Sequence, residues 1–281
     1  MSLLTINKLT ECVGAEVVGV DPDRLVSDDS LAEAVLDALE RNGVLVFPNL
    51  HLDPEAQVAF CRRLGDVDHS SDGHHPVGGI YPITLDKSKN ASAAYLRATF
   101  DWHIDGCTPT GDECPQKATV LSAVQVAERG GETEFANSYA AYDAFSDEEK
   151  ERFGALRVVH SLEASQSRVN PNPSPEELVR WRSRPTHEHP LVWTHRSGRK
   201  SLVLGASAHY VVGMDRDEGQ ALLAELLERA TQPHLVYSHR WSVGDTVIWD
   251  NNGVLHRAAP YDADSPREML RTTVLGDEPI Q

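Results

Sequence analysis

The chain has 281 residues, 40% hydrophobic and 25% charged, which is apolar enough for a sizeable core and excludes a disordered protein. Its 43 acidic and 26 basic residues give a formal net charge of −17. Such a surface repels phosphate backbones and anionic lipid, so neither nucleic acid nor membrane is expected as a partner; a small anion stays open, because a few arginines set the field inside a pocket.

Residues 1–10 lack a basic region followed by an apolar run, so no signal peptide is expected, and no stretch approaches the length of a membrane span. The expected location is the cytoplasm. Residues 14–20 (GAEVVGV) alternate as a strand does. Residues 27–41 place Leu31, Val35, Ala38 and Leu39 at helical spacing, and Asn42-Gly43 ends that helix. Val44–Phe47 is a short apolar run typical of a buried strand. Residues 53–64 form a second helix with Pro54 in its first turn. Residues 65–100, rich in Gly, Pro, Ser and His, read as long loops that shape a site.

Further strands are expected at 118–126 and 133–136, separated by the turn Arg129-Gly130-Gly131. Residues 146–153 form a helix with Ser146 and Glu149 spaced as a capping box. Residues 171–185 carry four prolines and read as loop. Strands follow at 191–194 and 201–204, an amphipathic helix at 215–230, and strands at 236–243, 246–250 and 271–275. Many short strands without strict strand–helix alternation predict a mainly β fold with added helices, over residues 1–281 as one domain.

The chemistry starts at Trp102-His103-Ile104-Asp105. Residues i and i+2 of an extended strand share a face, so His103 and Asp105 can reach one metal ion. Alone, an H-x-D triplet is weak. His256 adds a second imidazole 153 residues later, after the 246–250 strand. Two His and one carboxylate on one face of a metal leave open positions, the arrangement of non-haem iron oxygenases. Zinc uses the same donors, but no H-E-x-x-H occurs. Arg267 and Arg271 follow His256 by eleven and fifteen residues. A keto-acid cosubstrate that chelates iron at one end needs a cation for its far carboxylate, and a guanidinium gives two parallel charge-assisted bonds. Taken singly, each arginine reads better as a surface group offsetting Asp262, Asp264 or Glu268. The order H-x-D, distant His, then Arg is that of the iron and 2-oxoglutarate facial triad.

On these residues the chain resembles the taurine dioxygenase and 2,4-dichlorophenoxyacetate dioxygenase family. The carrying segments are WHID at 102–105, GGETEF at 130–135, AAYDAFS at 140–146, HRWSVGDTVIWDN at 239–251, VLHR at 254–257 and PREMLRTTVLGD at 266–277. The likeness begins at GAEVVGVD, 14–21, is weakest across 66–100 and 163–188, and nears the phenoxyacetate branch in LLAELLERATQ, 222–232. The resemblance implies a double-stranded β-helix, or jelly roll. It implies iron held by His103, Asp105 and His256, the catalytic set. Thr133 and Arg267 would hold the distal carboxylate of 2-oxoglutarate. Arg271 falls where the family binds either the near carboxylate or the substrate anion. Trp249 would sit near the iron. Where the family reads WDNR, this chain has Asn252 in place of the arginine.

The implied reaction converts 2-oxoglutarate and dioxygen to succinate and carbon dioxide while hydroxylating a small organic acid. An aryloxyalkanoate is the first expectation and an alkylsulfonate the second. Two other classes stand as alternatives: a jelly-roll protein that binds metal or a small acid without catalysis, and a zinc hydrolase. A homo-oligomer, dimer or tetramer, is the expected assembly. Among other residues, His69, His74 and His75 are candidates for substrate contact, balanced against a solvated loop. Tyr81, Tyr95 and Phe100 are candidate pocket aromatics. Cys107 and Cys114 read as packing, with Cys12 and Cys61 also reduced and no C-x-x-C pair. His160, His187, His189 and His195 read as structural and Asp245 as a turn residue.

Overall fold

The computed structural model describes residues 4–69, 75–90, 92–109 and 114–281. Strands β1 (Thr5–Lys8) and β2 (Ala15–Val18) pair antiparallel. Helices α1 (Pro22–Ser27) and α2 (Asp29–Asn42) follow, and each starts on an aspartate, Asp21 or Asp28, whose side chain accepts from amides of the first turn. After β3 (Val44–Phe47), α3 (Pro54–Leu64) is capped by Asp53 with proline in its first turn. The chain continues through β4 (Tyr81–Ile83), a 3₁₀ helix Ala93–Phe100, β5 (Ala118–Gln125) and β6 (Thr133–Asn137). Then come α4 (Ser138–Asp143), α5 (Asp147–Gly154), β7 (Arg157–His160), α6 (Leu162–Val169) and α7 (Pro175–Arg182). The last third holds β8 (His187–Pro190), β9 (Val192–Thr194), β10 (Lys200–Leu202), β11 (Ala208–Val211) and α8 (Arg216–Ala230). It ends with β12 (Val236–His239), β13 (Thr246–Asp250), β14 (Val254–Ala258) and β15 (Glu268–Val274).

Seven strands form the large sheet, in the order β1-β2-β3-β13-β5-β15-β4, and β12-β6-β14 form a smaller one. The two face each other: Val44, Val46, Val247, Trp249 and Met269 of the large sheet pack with Phe135 and Val254 of the small one. Alternation along each strand explains why β3 is buried throughout. Val44 and Val46 point between the sheets, whereas Leu45 and Phe47 point outward under α2 and α3, against Leu31, Phe60 and Leu64. The same alternation turns Trp249 of β13 inward and Ile248 outward. Crossed strand order and facing sheets make the jelly roll that the sequence predicts. No helix among the described residues is long and apolar enough to cross a membrane.

Several boundaries differ from the sequence reading. The 65–100 segment is not all loop, for it holds β4 and the 3₁₀ helix. The proline-rich 171–185 segment contains α7, because Pro175 occupies the first turn and Ser174 with Glu177 closes a capping box. Helices α1, α4 and α6 and strands β1, β7, β8, β11 and β14 have no counterpart in the sequence reading. Each is short, and tertiary packing rather than a long periodic pattern stabilises it. The strand expected over 236–243 stops at His239, where the chain turns toward Gly244.

Asp245 does more than shape that turn. Its buried carboxylate accepts from the Ser242 amide at 2.9 Å and from the Asn49 amide at 3.0 Å, stitching the β12–β13 turn to the segment after β3. Asp245→Ala removes the shared acceptor of two part-buried amides and should lower stability by about 1–3 kcal/mol, read as a fall in the urea midpoint, with Asp245→Asn retaining part of the loss. An unchanged midpoint for the alanine variant would contradict this role.

His160, wholly buried on β7, is pushed down from 6.5 to about 3 by burial and by His189 and His187 beside it. Below pH 6.5 the unfolded chain takes up a proton that the folded chain refuses, so stability falls as pH drops from about 6.5 toward about 3. The slope of unfolding free energy against pH in that window should flatten in His160→Asn.

Candidate metal centre

His103 and His256 meet through their backbones. The His103 amide donates to the His256 carbonyl at 3.0 Å, and the His256 amide returns the bond at 2.9 Å. On its other side β14 pairs with β6, which opposes His256 to Phe135. Directly paired residues project to one face, and the two imidazole centroids lie 4.2 Å apart. The extended backbone does not run on to Asp105, which begins a turn. The carboxylate still comes round, with Oδ1 3.9 Å from His103 Nε2 and Oδ2 3.8 Å from His256 Nε2. Gly205 permits this closeness. A Cβ there would lie 2.6 Å from the Trp102 carbonyl and 2.8 Å from His103 Cα.

The ligand atoms of His103, Asp105 and His256 lie within 4.8 Å of one another, the one such group of three among the described residues. Separations of 3.8 and 3.9 Å are too long for hydrogen bonds, and a single ion with bonds of about 2 Å would bridge them. His103 Nδ1 sits 2.9 Å from the Asp101 carbonyl, which fixes the proton there and leaves the Nε2 lone pair facing inward. Burial would raise the Asp105 carboxyl, but His256, His103 and Arg271 outweigh it and hold it below its ordinary value. Burial, with His103 adding to it, pushes His256 down to about 3. Asp105 and His256 therefore present free lone pairs at neutral pH, which is what a divalent cation requires, and His103 Nε2 is directed at the same point. Thr119, bonded to Asn251 at 2.9 Å, supports Asp105 from behind.

A cavity of about 80 Å³ opens from this point, lined by His103, Asp105, Trp249, His256, Arg267 and Arg271 among others. Trp249 stands with its ring 4.9 Å from that of His256. Arg267 is 2% exposed yet has no carboxylate partner among the described residues; its guanidinium stacks on Tyr261 at 4.9 Å. Gly131 makes room for it, since a Cβ there would lie 3.0 Å from Arg267 Nε. Arg271 stacks on Tyr81 at 4.9 Å, and its buried Nε has no hydrogen-bond partner among the described residues. Thr133 Oγ1 accepts from Trp241 Nε1 at 2.9 Å, leaving its proton available. One buried and one half-buried cation and a hydroxyl donor beside a metal-type triad suit an acid with two carboxylates.

Other sequence candidates lie elsewhere. His69 and His75 are not in the cavity lining, and His74 lies outside the described residues. Of the aromatics, Tyr81 braces Arg271, Phe100 packs edge-on against Tyr261, and Tyr95 faces a different cavity. Cys107 is buried in the core and pushed up to about 12 by burial, and all four cysteines are free. His187 and His189 bond the carbonyls of Pro109 and Cys107, and His195 bonds Ser201. Asn252 faces away from the metal cavity, with its amide on Asp250 and its carbonyl on Ser201. The sequence reading missed Leu96, Thr99, Leu121 and Tyr261 as cavity walls. Only tertiary structure brings these ordinary residues together, and no local pattern marks them.

Comparison with known proteins agrees over nearly the full length. The model of the taurine catabolism dioxygenase TauD, TfdA family matches residues 5–273. The chain is 34% identical over 277 residues to the (S)-phenoxypropionate/alpha-ketoglutarate-dioxygenase of Sphingobium herbicidovorans, covering 97% of this chain and 95% of that one. It is 37% identical over 253 residues to the alpha-ketoglutarate-dependent 2,4-dichlorophenoxyacetate dioxygenase of Cupriavidus pinatubonensis, covering 85% and 86%. The crystal structure of AAD-2 in complex with Mn(II) and N-oxalylglycine superposes with a TM-score of 0.83 at 33% identity, covering 99% of each chain.

If the triad holds a metal, Mn(II) at about a hundred times its Kd should stabilise the protein by about 2.7 kcal/mol, visible as a rise in Tm. The rise should vanish in His256→Ala and in Asp105→Ala. It should also shrink on acidification, as protons compete for the imidazoles. An equal rise in the variants would place the ion elsewhere.

Proposed function

Because the chain belongs to the taurine catabolism dioxygenase TauD, TfdA family and so is an iron(II) and 2-oxoglutarate-dependent dioxygenase, we propose that His103, Asp105 and His256 hold its iron. The observation that carries this reading is the convergence of three ligand-type side chains on one point, beside the buried Arg267 and the half-buried Arg271, neither with a carboxylate partner among the described residues. When bound, iron(II) couples decarboxylation of 2-oxoglutarate to insertion of oxygen into a substrate C–H bond. Everything else is positioning by the chain.

Arg267 and Thr133 take the distal carboxylate of 2-oxoglutarate. Arg267 is suited to this because burial keeps water from competing for its guanidinium, and Tyr261 and Gly131 fix its path. Arg271, whose charge acts on Asp105, takes the carboxylate of the second acid. Ile83, Leu96 and Leu121 supply an apolar wall that excludes water from the reacting carbon. The relatives named above act on phenoxypropionate and 2,4-dichlorophenoxyacetate, so the substrate class proposed is an aryloxyalkanoate. Hydroxylation of the carbon beside the ether oxygen yields a product that separates into a phenol and an oxo acid. We also propose that residues 1–281 act as one jelly-roll unit, that copies associate as a homo-oligomer, and that the enzyme works in the cytoplasm.

With iron(II), 2-oxoglutarate and air, succinate should form slowly, and phenoxyacetate or 2-phenoxypropionate should accelerate it and release phenol. Arg267→Ala should raise KM for 2-oxoglutarate about 10–100-fold, the loss of a charge-assisted pair. Arg271→Ala should weaken binding of the aryloxy acid. No acceleration by any aryloxy acid, with acceleration by an alkylsulfonate, would move the substrate to the sulfonate class.

A further inference from the structure

The 3₁₀ helix Ala93–Phe100 separates two cavities. With three residues per turn, residues three apart stack in rows. The row of Leu96 and Thr99 faces the metal cavity. The row of Ser92 and Tyr95 faces a larger outer cavity of about 370 Å³, walled on its far side by Leu162, Arg180, Arg184 and Pro185. Its volume lies in the range of small-molecule sites, and no acidic residue lines it among the described residues.

Three arginines lie close together at the end of α7, and they are treated differently. Arg182 closes on Glu163 with two bonds of 2.8 and 2.9 Å. Arg180 and Arg184, both lining the cavity, have no carboxylate partner among the described residues. Arg180 stands over the Tyr95 ring at 5.8 Å. In a chain with 43 acidic residues, two unpaired guanidiniums sharing one cavity form a local positive field. Tyr95, Leu162 and Pro185 add an apolar wall, and Ser92, Thr108 and Gln166 add small polar groups.

We propose that this cavity is an outer binding site for an amphipathic carboxylate, held at its charged end by Arg180 and Arg184 and along its body by Tyr95 and Leu162. The apolar wall favours an aryl acid over 2-oxoglutarate. The site then captures the acid one helix away from the iron. Naming that acid as substrate rests on the aryloxyalkanoate reading; the site itself does not.

The test is equilibrium dialysis of radiolabelled phenoxyacetate against enzyme loaded with Mn(II) and N-oxalylglycine. Wild type should bind two molecules per chain. Arg180→Ala/Arg184→Ala should bind one, and so should Arg271→Ala. Excess uncharged phenoxyethanol should leave the outer molecule bound. In turnover, the double variant should lose about threefold in kcat/KM for phenoxyacetate, with the loss shrinking at high salt. One molecule bound in both wild type and double variant, with normal phenoxyacetate turnover, would overturn the outer site and leave the substrate reading intact. Two bound in wild type and one in the double variant, with no succinate formed, would keep the site and sink the substrate reading. Displacement of the outer molecule by excess 2-oxoglutarate would overturn the assignment to an aryl acid.

Discussion

Two backbone hydrogen bonds, exchanged between His103 and His256, join segments 153 residues apart and bring the imidazoles within 4.2 Å of each other. Remove that bridge and nothing local would bring Asp105 near His256. The strands beneath it exist to hold β14 in place: β6 pairs with its far side, and β13 leads into it through the buried Asn251 turn. Backbone pairing suits this task because it is directional and independent of the side chains, which stay free to serve as ligands.

The second constraint is electrostatic. A protein this acidic nonetheless buries Arg267 and leaves Arg271 Nε without a hydrogen-bond partner among the described residues. A buried cation without a carboxylate partner is unfavourable, so the fold retains Arg267 at a standing loss that the proposed dianion would offset. Around them the support is aromatic rather than acidic, with Tyr261 under Arg267 and Tyr81 under Arg271. A carboxylate in either place would neutralise the guanidinium and compete with the ligand; a π face steadies it without doing so.

The triad was legible in the sequence because its residue types are rare together and their order is distinctive. Strand alternation accounts for only half of it. His103 is extended, but Asp105 already turns, so alternation along a strand does not explain their convergence. The helices with long apolar periods, α2 and α8, and the strongly apolar strands β3 and β13 were also legible. Short elements were not. Pro175 looked like a loop residue and is a helix start, while β7 and β11 are stabilised by pairing with each other across about fifty residues. The cavity walls Leu96, Thr99 and Tyr261 were invisible for the same reason, since their role comes from where the fold puts them.

The most direct measurement is anomalous diffraction from crystals grown with Mn(II) and N-oxalylglycine. The expected result is one anomalous peak within bonding distance of His103, Asp105 and His256, with the distal carboxylate of the analogue on Arg267. A peak at another place, or one bonded to only two of these side chains with a further protein ligand completing the set, would contradict it.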